Sequence, residues 1–172
     1  PSALQNKSIL HTEIDNILKN INKKMSTYQP DSEISLFNSN STLNWIPVSE
    51  ELFHVVKSAL SISQISKGYF DITVSPLIEL WGFGSKIKTN SPLLNDIEST
   101  MEIIGFENLL IQESPYALKK KFPALRIDLS SIAKGYAVDK ISEFLTNKSI
   151  NNHLVEIGGE IKVKGINASG NK

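Results

Sequence analysis

"RIDLSSIAKGYAVDKISEFL", Arg126 to Leu145, runs an alternating segment straight into a helical one. Leu125, Ile127 and Leu129 alternate with Arg126 and Asp128, the pattern of a half-buried strand. Ser130 or Ser131 can cap the helix that follows, whose apolar stripe is Val138, Ile141, Phe144 and Leu145. Lys134 and Gly135 fall in its first turn, with Lys134 near the inward edge of the stripe. A cation there opposes the positive end of the helix dipole. A glycine inside a helix costs about 1 kcal/mol relative to alanine. An anionic ligand at the helix start resolves both oddities: free backbone N–H groups and Lys134 attract it, and Gly135 lets it approach closely. Asp128, at the end of the strand, can then meet a metal-bearing phosphate, a ribose or a base. An ordinary strand–turn–helix with a solvated lysine explains the same residues. A Walker A loop is excluded, because here glycine follows lysine.

Outward from this stretch, strands and helices mix without strict βαβ alternation, which predicts an α+β fold with mixed or antiparallel sheets and packed helices. Ile14, Ile17, Leu18, Ile21 and Met25 keep helical spacing. "MSTYQPDSEISLFN" reads as a turn-rich loop. Ser49 caps a helix with Glu50 and Glu51 in its first turn, a buried stripe of Leu52, Val55, Val56, Ala59 and Ile62, and Gly68 as its end. "YFDITV" reads as a short strand, Ser75-Pro76 as the start of a short helix broken at Trp81-Gly82-Phe83-Gly84, and Leu94–Ile104 as a helix ended by Gly105. "NLLIQ" and "YALKKKF" look like paired strands, with Lys119–Lys121 solvating a hairpin turn. "HLVEIGGEIKVKG" looks like two strands hinged at Gly158-Gly159. No repeat or linker marks a domain boundary.

Composition excludes several classes. The 172 residues carry 18 basic and 18 acidic side chains, so no basic surplus points to nucleic acid or an anionic membrane. There is no cysteine, hence no disulfide, thiol chemistry or zinc–cysteine site. The opening Pro1-Ser2 and the closing "GINASGNK" suggest a piece of a longer protein, truncated at both ends, with a strand partner for "EIKVKG" missing. Among further candidates, Asp71 sits awkwardly among aromatics, Trp81 and Phe83 fit a core, and Tyr28 can stack on a planar ring. His11, His54 and His153 share no metal spacing. G-x-G-x-x-G is absent, so "VEIGGEI" is not a dinucleotide fingerprint.

Taken in order, "MSTYQPDSEISLFN", "GYFDITVSPLIELWGFG", "RIDLSSIAKGYAVDKISEFL" and "HLVEIGGEIKVKG" resemble the ApbE family of flavin transferases. The resemblance runs from about Met25 to the end. It implies an ApbE-like, T-fold-related architecture in which residues 1–172 form the N-terminal and central part of one domain. It implies magnesium and FAD, with FMN moved from FAD onto a threonine or serine hydroxyl of an acceptor protein and AMP released. By motif, Tyr28, Tyr69, Phe70, Asp71, Asp128 and Lys134 correspond to FAD contacts. Ser131 corresponds to a magnesium ligand, through its backbone carbonyl. Members are typically exported, often as lipoproteins. The family's upstream "MGT"-type strand, its downstream histidine segment and its Asp-x-x-x-Thr-like magnesium site have no counterpart here. A magnesium-dependent FAD pyrophosphatase and a non-catalytic FAD-binding protein remain as alternatives.

Overall fold

The computed structural model of the chain describes residues 3–83, 91–167 and 169–170. Contacts divide it into two compact units, Lys23–Ser131 and Pro1–Asn22 with Ile132–Lys172. The elements are α1 (Ala3–Met25), α2 (Glu33–Ser39), β1 (Ile46–Pro47), α3 (Glu50–Ile65), α4 (Ser75–Leu80), α5 (Leu94–Met101), a 3₁₀ turn (Phe106–Asn108), β2 (Leu109–Glu113), β3 (Tyr116–Lys120), α6 (Ser130–Asn147), β4 (His153–Ile157) and β5 (Glu160–Lys164). No described helix is long and apolar enough to cross a membrane. The α+β class holds, with every described strand pair antiparallel.

In the unit Lys23–Ser131, β2 and β3 form the expected hairpin and β1 adds to β3, giving the order β1-β3-β2. Ile46 and Ile111 flank Leu118 across the sheet. α3 starts as its sequence dictates: Ser49 Oγ accepts from Leu52 N–H, with Glu50 and Glu51 in the first turn. Leu52, Phe53, Val56 and Ala59 are buried with Leu118, and the Phe53 ring lies 4.8 Å from that of Tyr116. Ile62 is exposed, contrary to its expected place in the stripe. The buried face passes instead through Leu60 and Ser63, whose hydroxyl donates to Ala59 O. Gly68 takes φ +84° and closes the helix with an N–H to Ser63 O.

Three sequence expectations fail locally. "MSTYQPDSEISLFN" is not all loop, because Ser32 caps α2 and Ile34 and Phe37 bury one side of it. "YFDITV" forms turns, and "ALRIDL" joins no ladder, although Leu125, Ile127 and Leu129 are fully buried as its alternation requires. Main-chain groups in these segments find other partners. Asp128 N–H donates to Ile72 O at 2.8 Å, and the Asn38 side chain satisfies both polar groups of Ile127. The helix expected over Leu94–Ile104 ends at Met101. Gly84 and most of the polar segment after it lie outside the described residues.

In the second unit, Val138, Ile141 and Leu145 of α6 and Val155 of β4 form a core. Ile14, Ile17 and Leu18 of α1 pack against it, as their spacing predicts, and Leu10, outside the expected stripe, joins them. β4 and β5 pair through a tight turn in which Gly158 and Gly159 take φ +58° and +97°. His153 is a structural residue. Its Nδ1 donates to Ile150 O, which leaves Nε2 to accept from Ser142 Oγ, both at 2.8 Å.

Candidate functional site

Tyr28, Tyr69, Phe70, Asp71, Asp128 and Ser131 lie in the unit Lys23–Ser131, and Lys134 in the other. Tyr28 is 83% and Tyr69 97% exposed. Neither is packing, and both rings are open to a planar ligand. The loop under Tyr28 is ordered by short polar links. Ser32 Oγ donates to Ser26 O at 2.6 Å, and Ser26 Oγ accepts from Tyr28 N–H at 3.3 Å. Trp81 and Phe83, expected in the core, are exposed, because α4 ends in a turn that carries them outward.

Asp71 is committed to the protein itself. Its Oδ1 accepts from Thr73 N–H and Thr73 Oγ1, both at 2.7 Å, and its Oδ2 from Phe106 N–H at 2.9 Å. The buried Thr73 hydroxyl in turn accepts from Gly105 N–H at 2.7 Å. This latch holds the 69–74 turn against the 105–106 turn. Asp128 differs. Only Oδ1 is occupied, by Ser130 N–H at 2.7 Å, so Asp128 rather than either serine satisfies the start of α6. Its Oδ2 takes no hydrogen bond among the described residues and is available to a ligand donor. The Ile72–Asp128 bond brings the Asp71 and Asp128 segments together. No side-chain hydrogen bond or ring contact joins Tyr28, Tyr69 or Phe70 to either aspartate.

Lys134 sits on the exposed side of α6. Its Nζ is 2.8 Å from Glu160 Oε1 and 3.4 Å from Gly158 O. The ammonium holds the Glu160 carboxyl below its usual range. Ser131, in the first turn of α6, is exposed. Magnesium wants about six oxygens, usually including a carboxylate. No group of three His, Asp or Glu side chains among the described residues can hold a metal. The described donors therefore do not make up a complete magnesium site, and no step below is routed through one.

Sequence reasoning missed Lys120, Asn38 and Thr73. Lys120 is not a solvated turn residue. The hairpin turns at Ser114-Pro115, while Lys120 is fully buried at the far end of β3. Its Nζ donates to Asn38 O and Asn40 O at 3.1 and 2.7 Å and lies 4.8 Å from the centre of the Phe37 ring. Burial, with Arg126 adding in the same direction, pushes Lys120 down to about 8. Arg126 itself holds both oxygens of Glu79, at 3.0 and 2.8 Å. Only the Asp-x-Thr spacing at 71–73 carried a sequence signal, that of an Asx turn.

The profile of the ApbE family matches residues 2–172, and the chain belongs to that family. An FAD:protein FMN transferase of Vibrio cholerae serotype O1 is 40% identical over 169 residues, 98% of this chain and 50% of the relative. Another, from Haemophilus influenzae, is 39% identical over 164 residues, 93% of this chain and 47% of the relative. Two solved structures superpose closely. The flavin transferase ApbE of Vibrio cholerae has a TM-score of 0.91 at 41% identity, covering 95% of this chain and 53% of its own. The flavinyl transferase ApbE of Pseudomonas stutzeri, in its apo form, has a TM-score of 0.90 at 35% identity, covering 96% and 55%. The chain thus spans about half the length of the curated relatives it matches.

Proposed function

We propose that the full-length protein transfers FMN from FAD to a threonine or serine hydroxyl of an acceptor protein, with magnesium, as an exported and lipid-anchored enzyme. Membership of the ApbE family over essentially the whole chain carries this reading. The site is compatible with it: Tyr28 and Tyr69 offer open rings for the isoalloxazine or adenine, and Asp128 has one oxygen to spare for a ribose or ring donor. FAD supplies the electrophile, a diphosphate. The acceptor oxygen bonds to the phosphorus on the riboflavin side. The bond from that phosphorus to the bridging oxygen breaks, AMP leaves, and the hydroxyl proton passes to a base or to solvent. Catalysis of such a step is mostly positioning and charge stabilisation. Within the unit Lys23–Ser131, Asp128 and the exposed Tyr28 and Tyr69 are the groups suited to positioning; the charge role of Lys134 rests on the family resemblance alone.

The deciding experiment incubates the full-length protein with FAD, magnesium and a candidate acceptor domain. FMN covalently bound to the acceptor, lost when its threonine or serine is replaced by alanine, is the expected result. Free FMN with an unlabelled acceptor identifies a pyrophosphatase instead. Bound but intact FAD identifies a binding protein.

A further inference from the structure

α2 has only seven residues, too few to persist by propensity alone, yet it is fastened at both ends. At its start, Ser32 Oγ accepts from Ser35 N–H at 3.2 Å and donates to Ser26 O, anchoring the loop that carries Tyr28. At its end, the buried Lys120 ammonium binds the carbonyls of Asn38 and Asn40, where the negative end of the helix dipole favours a cation. Between these fixings the Asn38 side chain leaves the helix and meets Ile127 twice. Nδ2 donates to Ile127 O and Oδ1 accepts from Ile127 N–H, both at 2.8 Å. One amide side chain thus replaces a neighbouring strand for a segment that has no ladder. Ile127 is fully buried, and Asp128 is the next residue. Asp128's own N–H is held by Ile72 O. The main chain at Asp128 is therefore placed by the Asn38 amide and one carbonyl.

We propose that Asn38, fixed at the end of α2 by Lys120, is a positioning residue that sets Asp128 for the nucleotide; this rests on the reading of Asp128 as an FAD contact. Both Asn38–Ile127 hydrogen bonds occupy its amide, so Asn38 is assigned no ligand contact. Its effect passes through two hydrogen bonds to Ile127, and through α2 the same brace is tied to the Tyr28 loop.

The test is a double-mutant cycle in the full-length protein, read by calorimetric titration of FAD and by thermal unfolding. Asn38→Ser removes both hydrogen bonds and is expected to raise the FAD Kd about tenfold. In an Asp128→Ala background the same substitution is expected to change Kd by less than about twofold, because the residue it positions is gone. In the transfer assay KM for FAD rises while kcat stays within about twofold; a purely structural lesion would lower kcat through loss of folded enzyme and leave KM alone. Where Asn38→Ser does not fold, Asn38→Gln keeps the amide, displaces it by one methylene and serves in the same cycle. Equal losses in both backgrounds, or an unchanged Kd on the wild-type background, overturn the proposal alone. An Asp128→Ala protein that binds FAD like wild type overturns the reading of Asp128 and the proposal with it.

Discussion

A lysine with no exposed surface has to be compensated where it sits, and Lys120 is compensated by two carbonyls and a ring face. Its pKa of about 8 in the fold lies below the roughly 10.4 of an unfolded chain. Between these values the unfolded chain binds more protons, so the residue's contribution makes stability rise as pH climbs from about 8 to about 10.4. The penalty for charging it is fully present below about 8. Denaturant titrations across this window are expected to show that rise in wild type and its loss in Lys120→Met. Lys120→Ala is expected to lower unfolding free energy by about 2–4 kcal/mol at neutral pH, from a cavity and two stranded carbonyls. The two aspartates separate in the same kind of experiment. Asp71→Ala strands Thr73 and Phe106 N–H groups and is expected to cost about 2–4 kcal/mol of stability. Asp128→Ala is expected to weaken FAD binding with a smaller loss of melting temperature, while the control Lys121→Ala changes neither. If calorimetry returns equal affinities for Asp128→Ala and Lys121→Ala, the assignment of Asp128 fails. None of this division was legible in the sequence. Asp71 and Asp128 have the same side chain near similar apolar runs, and only tertiary partners show which carboxylate has an oxygen left over.

At the level of elements, the sequence located α1, α3, α6 and both hairpins, because each helix keeps an apolar stripe at helical spacing and each hairpin pairs neighbouring segments across a short turn. It failed where side chains replaced backbone partners. The segment around Ile127 alternates like a strand and is buried like one, but Asn38 takes its hydrogen bonds, and no pattern within residues 125–129 encodes a partner some 89 positions away. α2 was invisible for a related reason: its stability comes from the Lys120 and Ser32 fixings rather than from seven residues of propensity. The β4–β5 turn, by contrast, was written in its two glycines. Gly159 takes φ +97° with open space where a Cβ would stand, so Gly159→Ala tests backbone strain by itself. It is expected to cost about 1–2 kcal/mol. Gly158→Ala adds a contact of 3.3 Å with Lys134 Cδ, an atom of a flexible side chain. Amide hydrogen exchange in β4 and β5 would register both, and unchanged exchange in Gly159→Ala would show that the turn tolerates a side chain at this φ.

For the whole molecule, four ordered motifs in the sequence alone point to the family, and the profile and the superpositions agree with them. The functional proposal comes only through the family resemblance, since composition is ordinary and net charge is zero. Of the expected site residues, Tyr28 and Tyr69 are exposed, but so are Trp81 and Phe83, which the sequence had assigned to a core, so exposure does not single out the first pair. The chain spans about half of its relatives, and its described residues bring together no metal cluster. Residues 1–172 by themselves are therefore expected not to label an acceptor with FMN, even with magnesium and FAD in excess. Labelling that stops on adding EDTA would show that these residues complete a magnesium site after all.

The Lys134–Glu160 pair would make any capture of an anion by Lys134 a competition with a carboxylate already in place. A phosphate that recruited Lys134 would compete with Glu160, whose Oε2 is buried without a hydrogen-bond partner among the described residues. Such a competition would favour a diphosphate, with two negative charges to offer, over singly charged competitors. It also gives Glu160 a role opposite to that of a ligand contact. Glu160→Gln removes the resident counter-ion while keeping the side-chain size, and is expected to tighten FAD binding by the full-length protein and to narrow its preference over monoanions. An unchanged affinity would mean that the ligand never takes Lys134 from its carboxylate.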